Sequence, residues 1–127
     1  MKQLVFFFCC LSLQVSAQKQ GNNWYFGDGA GVSFNSGSPV ALLNGQHVYP
    51  GSSAHNEGCA AISDSSGALL LYTDGMTVWN RQHQVMQNGT GLLGNYSSTQ
   101  SSVIVPDPAN PDRWFYVFTI SSGFCCQ

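Results

Sequence analysis

Charge is what this chain has least of. Only 8% of its 127 residues are Asp, Glu, Lys or Arg, and the formal net charge is −2. After the second residue the only cations are Lys19, Arg81 and Arg113. Phosphate neutralisation needs a basic stripe or patch, so nucleic acid is excluded as a partner. Disordered chains are short of aromatics, whereas 13% of this chain is Phe, Trp or Tyr. Beyond the first seventeen residues no window repeats apolar side chains at the helical period. Patterns that carry catalysis are missing too. His47, His55 and His83 form no H-x-H or i, i+4 pair, and no G-x-S-x-G elbow occurs. The glycine-rich run 27–31 (GDGAG) leads into a strand pattern rather than a helix, so it does not cradle phosphate.

Cysteine is sparse after residue 17: Cys59, Cys125 and Cys126. An odd number with two adjacent residues is not a disulfide framework. Cys59 reads as a small apolar strand residue, and its pairing with Cys125 or Cys126 stays open. His55, Glu57 and Cys59 alternate as strand neighbours on one face would. A zinc site needs three or four ligands with tetrahedral closure, and no metal or cofactor is expected. Asp28, Asp64 and Asp74 each stand at glycine turns and read as backbone caps rather than paired carboxylates or calcium ligands.

What is present begins with a secretory signal peptide over residues 1–17. Lys2 supplies the positive end, Leu4 to Leu13 the apolar core, and Val15-Ser16-Ala17 the small-residue cleavage site. The apolar run is too short to cross about 30 Å of hydrocarbon, so no membrane span is expected after cleavage. The expected location is secreted or on the cell surface.

The remainder repeats itself. Phe26, Tyr72 and Phe118 recur with a period of 46 residues (72 − 26 and 118 − 72), and Asp28-Gly29 and Val32 answer Asp74-Gly75 and Val78. Short strands with glycine turns at this period are the signature of β-propeller blades. The predicted fold is all-β: antiparallel propeller-like blades over 18–120, incomplete, with about two blades and the start of a third. Residues 121–127 read as an irregular, truncated tail. Hairpins are predicted at 58–73 and 101–120, and long polar connections at 44–57 and 87–100.

Three runs, NNWYFGDGAGVSFNSG, EGCAAISDSSGALLLYTDGMTVWNR and STQSSVIVPDPANPDRWFYVFT, give the chain a family likeness. Together they resemble the N-terminal propeller-like region of secreted gliding-motility-associated proteins, exported by the type IX secretion system with a type B sorting domain. The resemblance covers residues 20–120 and implies the fold and a cell-surface address. It supplies no catalytic residues, and the sorting domain is absent from this sequence.

The functional expectation is a non-catalytic segment of a larger secreted protein, used for adhesion to a glycan or surface protein. The alternatives are a propeller hydrolase or lyase whose catalytic residues lie outside this chain, and a structural spacer. Trp24, Tyr25, Trp79, Trp114 and Tyr116 form either a sugar-stacking platform or the packing between sheets, the latter being expected of most. Rigid rings on exposed loops give contact area at low entropy cost, so the expected ligand contacts are Tyr49, His55, Trp79 and Tyr96.

Overall fold

The computed structural model describes residues 18–46, 58–95 and 98–121. Tyr49, His55, Glu57, Tyr96, the expected signal peptide at 1–17 and residues 122–127 lie outside them. Among the described residues the chain is all-β apart from one 3₁₀ turn, Lys19–Gly21. Three antiparallel sheets follow one another as simple meanders. The first holds β1 (Asn23–Tyr25), β2 (Gly31–Ser33) and β3 (Val40–Leu42). The middle sheet holds β4 (Ala60–Ser63), β5 (Leu69–Thr73), β6 (Thr77–Asn80) and β7 (Val85–Thr90). The third is a hairpin of β8 (Ser102–Pro106) and β9 (Phe115–Thr119). Both predicted hairpins are present.

Turn chemistry explains the meanders. Asp28 and Gly29 both take positive φ, 58° and 73°, inside a turn closed by Ala30 N–H on the Gly27 carbonyl at 3.2 Å. This is the two-residue turn whose twist suits a hairpin. At Asp64 the carboxylate accepts from the backbone N–H of Ser66 at 2.9 Å and Ala68 at 3.0 Å. Asn80 repeats that cap with its Oδ1 on Gln82 and Gln84 N–H. Asp107 does so on Ala109 and Asn110 N–H, closing the proline-bounded turn before β9.

One boundary differs from expectation. Residues 87–90 continue β7 instead of opening a loop. The register shifts between Thr77 and Trp79, and Asn88 takes a φ of 58°. A bulge of this kind lets a polar, glycine-containing stretch stay paired at a sheet edge. Leu92 N–H and Gly94 N–H then bond to the Met76 and Gly75 carbonyls, so the connection hugs the sheet.

The sheets stack face on face with the four-stranded one in the centre. Tyr25 of the first sheet meets Tyr72 and Trp79 of the middle sheet, with Leu42, Ala61 and Leu69 around them. On the opposite face Ile62, Leu71 and Val78 receive Ile104 and Phe115 of the hairpin. Burying one such ring contributes roughly 1.5–3 kcal/mol, so both faces of the middle sheet hold the fold together.

Candidate binding surfaces

The aromatics divide between core and surface. Tyr25, Tyr72 and Trp79 form a stack, with ring centroids 4.6 Å apart in the first pair and 5.2 Å in the second. Trp79, expected as a ligand contact, is 8% exposed and lies inside this stack, so it offers no loop surface. The physical reason is its pairing directly across from Tyr72 on the face that meets the first sheet. Trp24, Trp114 and Tyr116 point outward and are exposed. The expectation of packing therefore holds for Tyr25 and Trp79 and fails for these three.

A polar cluster closes the edge of the stack. Tyr25 Oη donates to Asn44 Oδ1 at 3.1 Å, and Asn44 Nδ2 lies 2.8 Å from His83 Nε2. Nε2 of His83 then accepts, and Nδ1 carries the proton toward Tyr72 Oη at 3.1 Å. Gln46 N–H also donates to Tyr72 Oη, at 3.0 Å. Burial pushes both the Tyr25 and Tyr72 phenols up. His83 sits at φ 61° in the place that Gly67, at φ 93°, holds in the β4–β5 turn. The histidine spacing gives His83 no local pair, and its partners lie 39 and 11 residues away. Nothing local in the sequence marks such a pairing.

The carboxylates serve turns. Asp74 Oδ1 accepts from Met76 N–H at 2.8 Å and Thr77 N–H at 2.6 Å. Hydrogen bonds from Ser66 and the backbone hold Asp64 below the usual carboxylate range, and Tyr116 with the backbone does the same for Asp107. Cys59 is half-buried, and desolvation, helped by the Asp74 charge, pushes its thiol up to about 12. A thiol so protonated is a poor nucleophile. His55 and Glu57, its suggested metal partners, lie outside the described residues. Among the described residues no three of His, Cys, Asp and Glu gather as a metal site.

Two outward surfaces remain. Trp114, on the residue before β9, and Tyr116 and Phe118 within it stand at alternate positions, all exposed. Tyr116 Oη donates to Asp107 Oδ2 at 2.7 Å, Arg113 lies 5.5 Å over the Trp114 ring, and the Tyr116 and Phe118 rings are 6.3 Å apart. On the first sheet, Trp24 is pinned by its Nε1–H to the Gly21 carbonyl at 2.7 Å and meets Phe34 edge-on at 5.4 Å. Beside it a cleft of about 340 Å³ runs between β1 and the start of β4, lined by Trp24, Tyr25, Phe26, Cys59 and Ala61. No helix among the described residues is long and apolar enough to cross a membrane.

No protein-family model, curated protein or solved structure matches this chain.

Proposed function

We propose that this chain is a non-catalytic module of a secreted or cell-surface protein that binds carbohydrate chains along β9. The observation that carries the reading is the exposed row Trp114, Tyr116 and Phe118, the last two at alternate positions of β9 and Trp114 on the residue that precedes the strand. Alternate strand residues stand about 6.6 Å apart, and the Tyr116 and Phe118 rings lie 6.3 Å apart at 32° to each other, so the row offers adjacent ring faces along the strand. Pyranose rings present C–H faces that stack on aromatic faces, and rigid rings lose little entropy on contact. Asp107, Asp112 and Arg113 at the turn end supply polar groups for hydroxyls. The export signal and the family resemblance support the extracellular setting. The 46-residue repeat, mapped onto three successive meanders, supports reading the sheets as propeller-type blades.

The enzyme alternative has less behind it. The carboxylates cap turns, burial holds the Cys59 thiol protonated, and His83 is engaged with Asn44 and Tyr72. Binding to a panel of insoluble polysaccharides tests the proposal. Trp114→Ala and Phe118→Ala should each weaken retention about tenfold, as losing a 1–1.5 kcal/mol ring contact does, with the urea midpoint unchanged. A wild-type chain that no polysaccharide retains, or variants that bind as well, would end the glycan reading. Turnover of an ester, glycoside or peptide substrate would bring the enzyme forward.

A further inference from the structure

A ring that is 51% exposed, as Tyr116 is, has little packing to fix its direction. One hydrogen bond holds it, from its Oη to Asp107 Oδ2 at 2.7 Å. Register explains the reach. Pro106 pairs with Phe115, so Asp107 comes next opposite Trp114, and Tyr116 is its diagonal neighbour on the same face. The other oxygen of Asp107 is committed to the turn, accepting from Ala109 N–H at 2.8 Å and Asn110 N–H at 2.9 Å. The backbone N–H of Asp107 donates to the Trp114 carbonyl at 2.8 Å. One residue thus ties together the proline-bounded turn, the backbone at the start of the aromatic row and the ring in its middle. Among the hydrogen bonds that hold the Asp107 carboxyl below its usual range, the one from Tyr116 is the largest, and in return it raises the Tyr116 phenol.

We infer that Asp107 is the positioning residue of the β9 site: it holds the Tyr116 ring, before a sugar arrives, in the direction in which the ring meets it. The inference rests on the carbohydrate reading of the row. A side chain that must be ordered when the ligand lands subtracts that cost from affinity, and one already held does not. The turn is closed by Asp107 Oδ1 and by backbone bonds, so the bond from Oδ2 is not needed to make it. Phe118 has no polar atom to tether, and Tyr116 is the one ring of the three that Asp107 bonds through its side chain. Asp107 therefore acts through Tyr116 and not by touching the sugar.

The test separates the tether from the turn cap. Asp107→Ser keeps a short hydroxyl that caps a turn but does not reach Tyr116. Tyr116→Phe keeps the ring and drops only the donor. Both variants and their combination are measured on the polysaccharide that retains the full wild-type chain best, with urea midpoints alongside. Each single change should weaken retention about threefold, and the combination should be no weaker than either one. Tyr116→Phe leaves the turn intact and carries the test if Asp107→Ser lowers the urea midpoint. The Tyr116 phenol, followed by its own ring NMR signal, should titrate above 10.0 in the wild type and near that value in Asp107→Ser. A wild-type chain that no polysaccharide retains ends the carbohydrate reading and this inference with it. Where the wild type is retained, three results overturn the inference alone. One is unchanged retention of Tyr116→Phe. Another is losses that add in the combined variant, which would put Asp107 or the Tyr116 hydroxyl in direct contact with the sugar. The third is a phenol that titrates at the same pH with and without Asp107.

Discussion

Tyr72 and Phe118 hold the same place in the repeat, yet Tyr72 is 1% exposed and Phe118 is 58% exposed. Tyr72 lies in the middle sheet, which is covered on both faces, stacked between Tyr25 and Trp79. Phe118 lies on a two-stranded hairpin that packs through Ile104 and Phe115 and leaves the Phe118 face bare. Sequence identity of place thus does not decide burial. What decides it is whether a neighbouring sheet reaches the face. Among the described residues the middle sheet has two neighbours and the hairpin one.

The largest effect expected from this contrast is on stability. Tyr72→Ala should cost about 3–5 kcal/mol, as truncating a fully packed ring does. Phe118→Ala should fall within about 0.5 kcal/mol, as exposed substitutions do. Urea denaturation with a constant slope measures both. An equal loss at the two sites would mean that the Phe118 face is covered in solution, and the contrast would be lost.

The same comparison shows what could be read from the chain. Alternation correctly put Trp24 and Phe26 on one face with Tyr25 on the other, and Trp114 and Tyr116 opposite Phe115. It could not say which face would find a partner, because that depends on contacts such as Tyr25 on Tyr72, 47 positions away. Turns were legible where a side chain caps its own backbone, as at Asp64. They were less so at the repeated Asp-Gly pairs. Asp28 takes positive φ and makes a two-residue turn, whereas Asp74 caps Met76 and Thr77 through its carboxylate. The two registers differ accordingly: Trp24 pairs with Val32, but Tyr72 pairs with Trp79. Of the four expected contact residues only Trp79 is described, and it belongs to the core. The outward row on β9 was visible as aromatic density, and its exposure was not.

A smaller effect should separate the junction of the middle sheet from the loops of the first. Gly75 and Gly37 share a left-handed backbone, with φ of 86° and 83°. Any side chain is strained there, by roughly 1 kcal/mol. A methyl at Gly37 would meet open space, whereas at Gly75 it would come within 2.8 Å of Ser101 Oγ. Ser101 cannot retreat: it is fully buried, and its hydroxyl donates to the Asp74 carbonyl at 2.9 Å or to that of Gly58. Gly75→Ala should therefore cost about 3 kcal/mol and Gly37→Ala about 1 kcal/mol. Equal losses would show that the seam between the middle sheet and the hairpin is looser than this packing implies.

The last effect shows itself only in alkali, at Cys59 beside that seam. Burial first, and the Asp74 charge second, raise its thiol from 9.0 to about 12. The folded state thus keeps a proton that the unfolded chain releases. The stability this brings is whole below about pH 8.5 and declines as pH climbs toward 12. At pH 8.5 the native thiolate should be about a thousandfold scarcer than in urea, and alkylation by iodoacetamide slower in proportion. Mass spectrometry of the tryptic peptide from Gln20 to Arg81 reports Cys59 apart from Cys125 and Cys126. Asp74→Asn, which keeps an oxygen to cap Met76 and Thr77, should speed the native reaction only modestly, because burial is the larger cause. If native and unfolded chains react alike, Cys59 is open to water. If Asp74→Asn alone restores full reactivity, the Asp74 charge rather than burial governs the thiol. In either case the seam beside the middle sheet would be no drier than the surface of the hairpin.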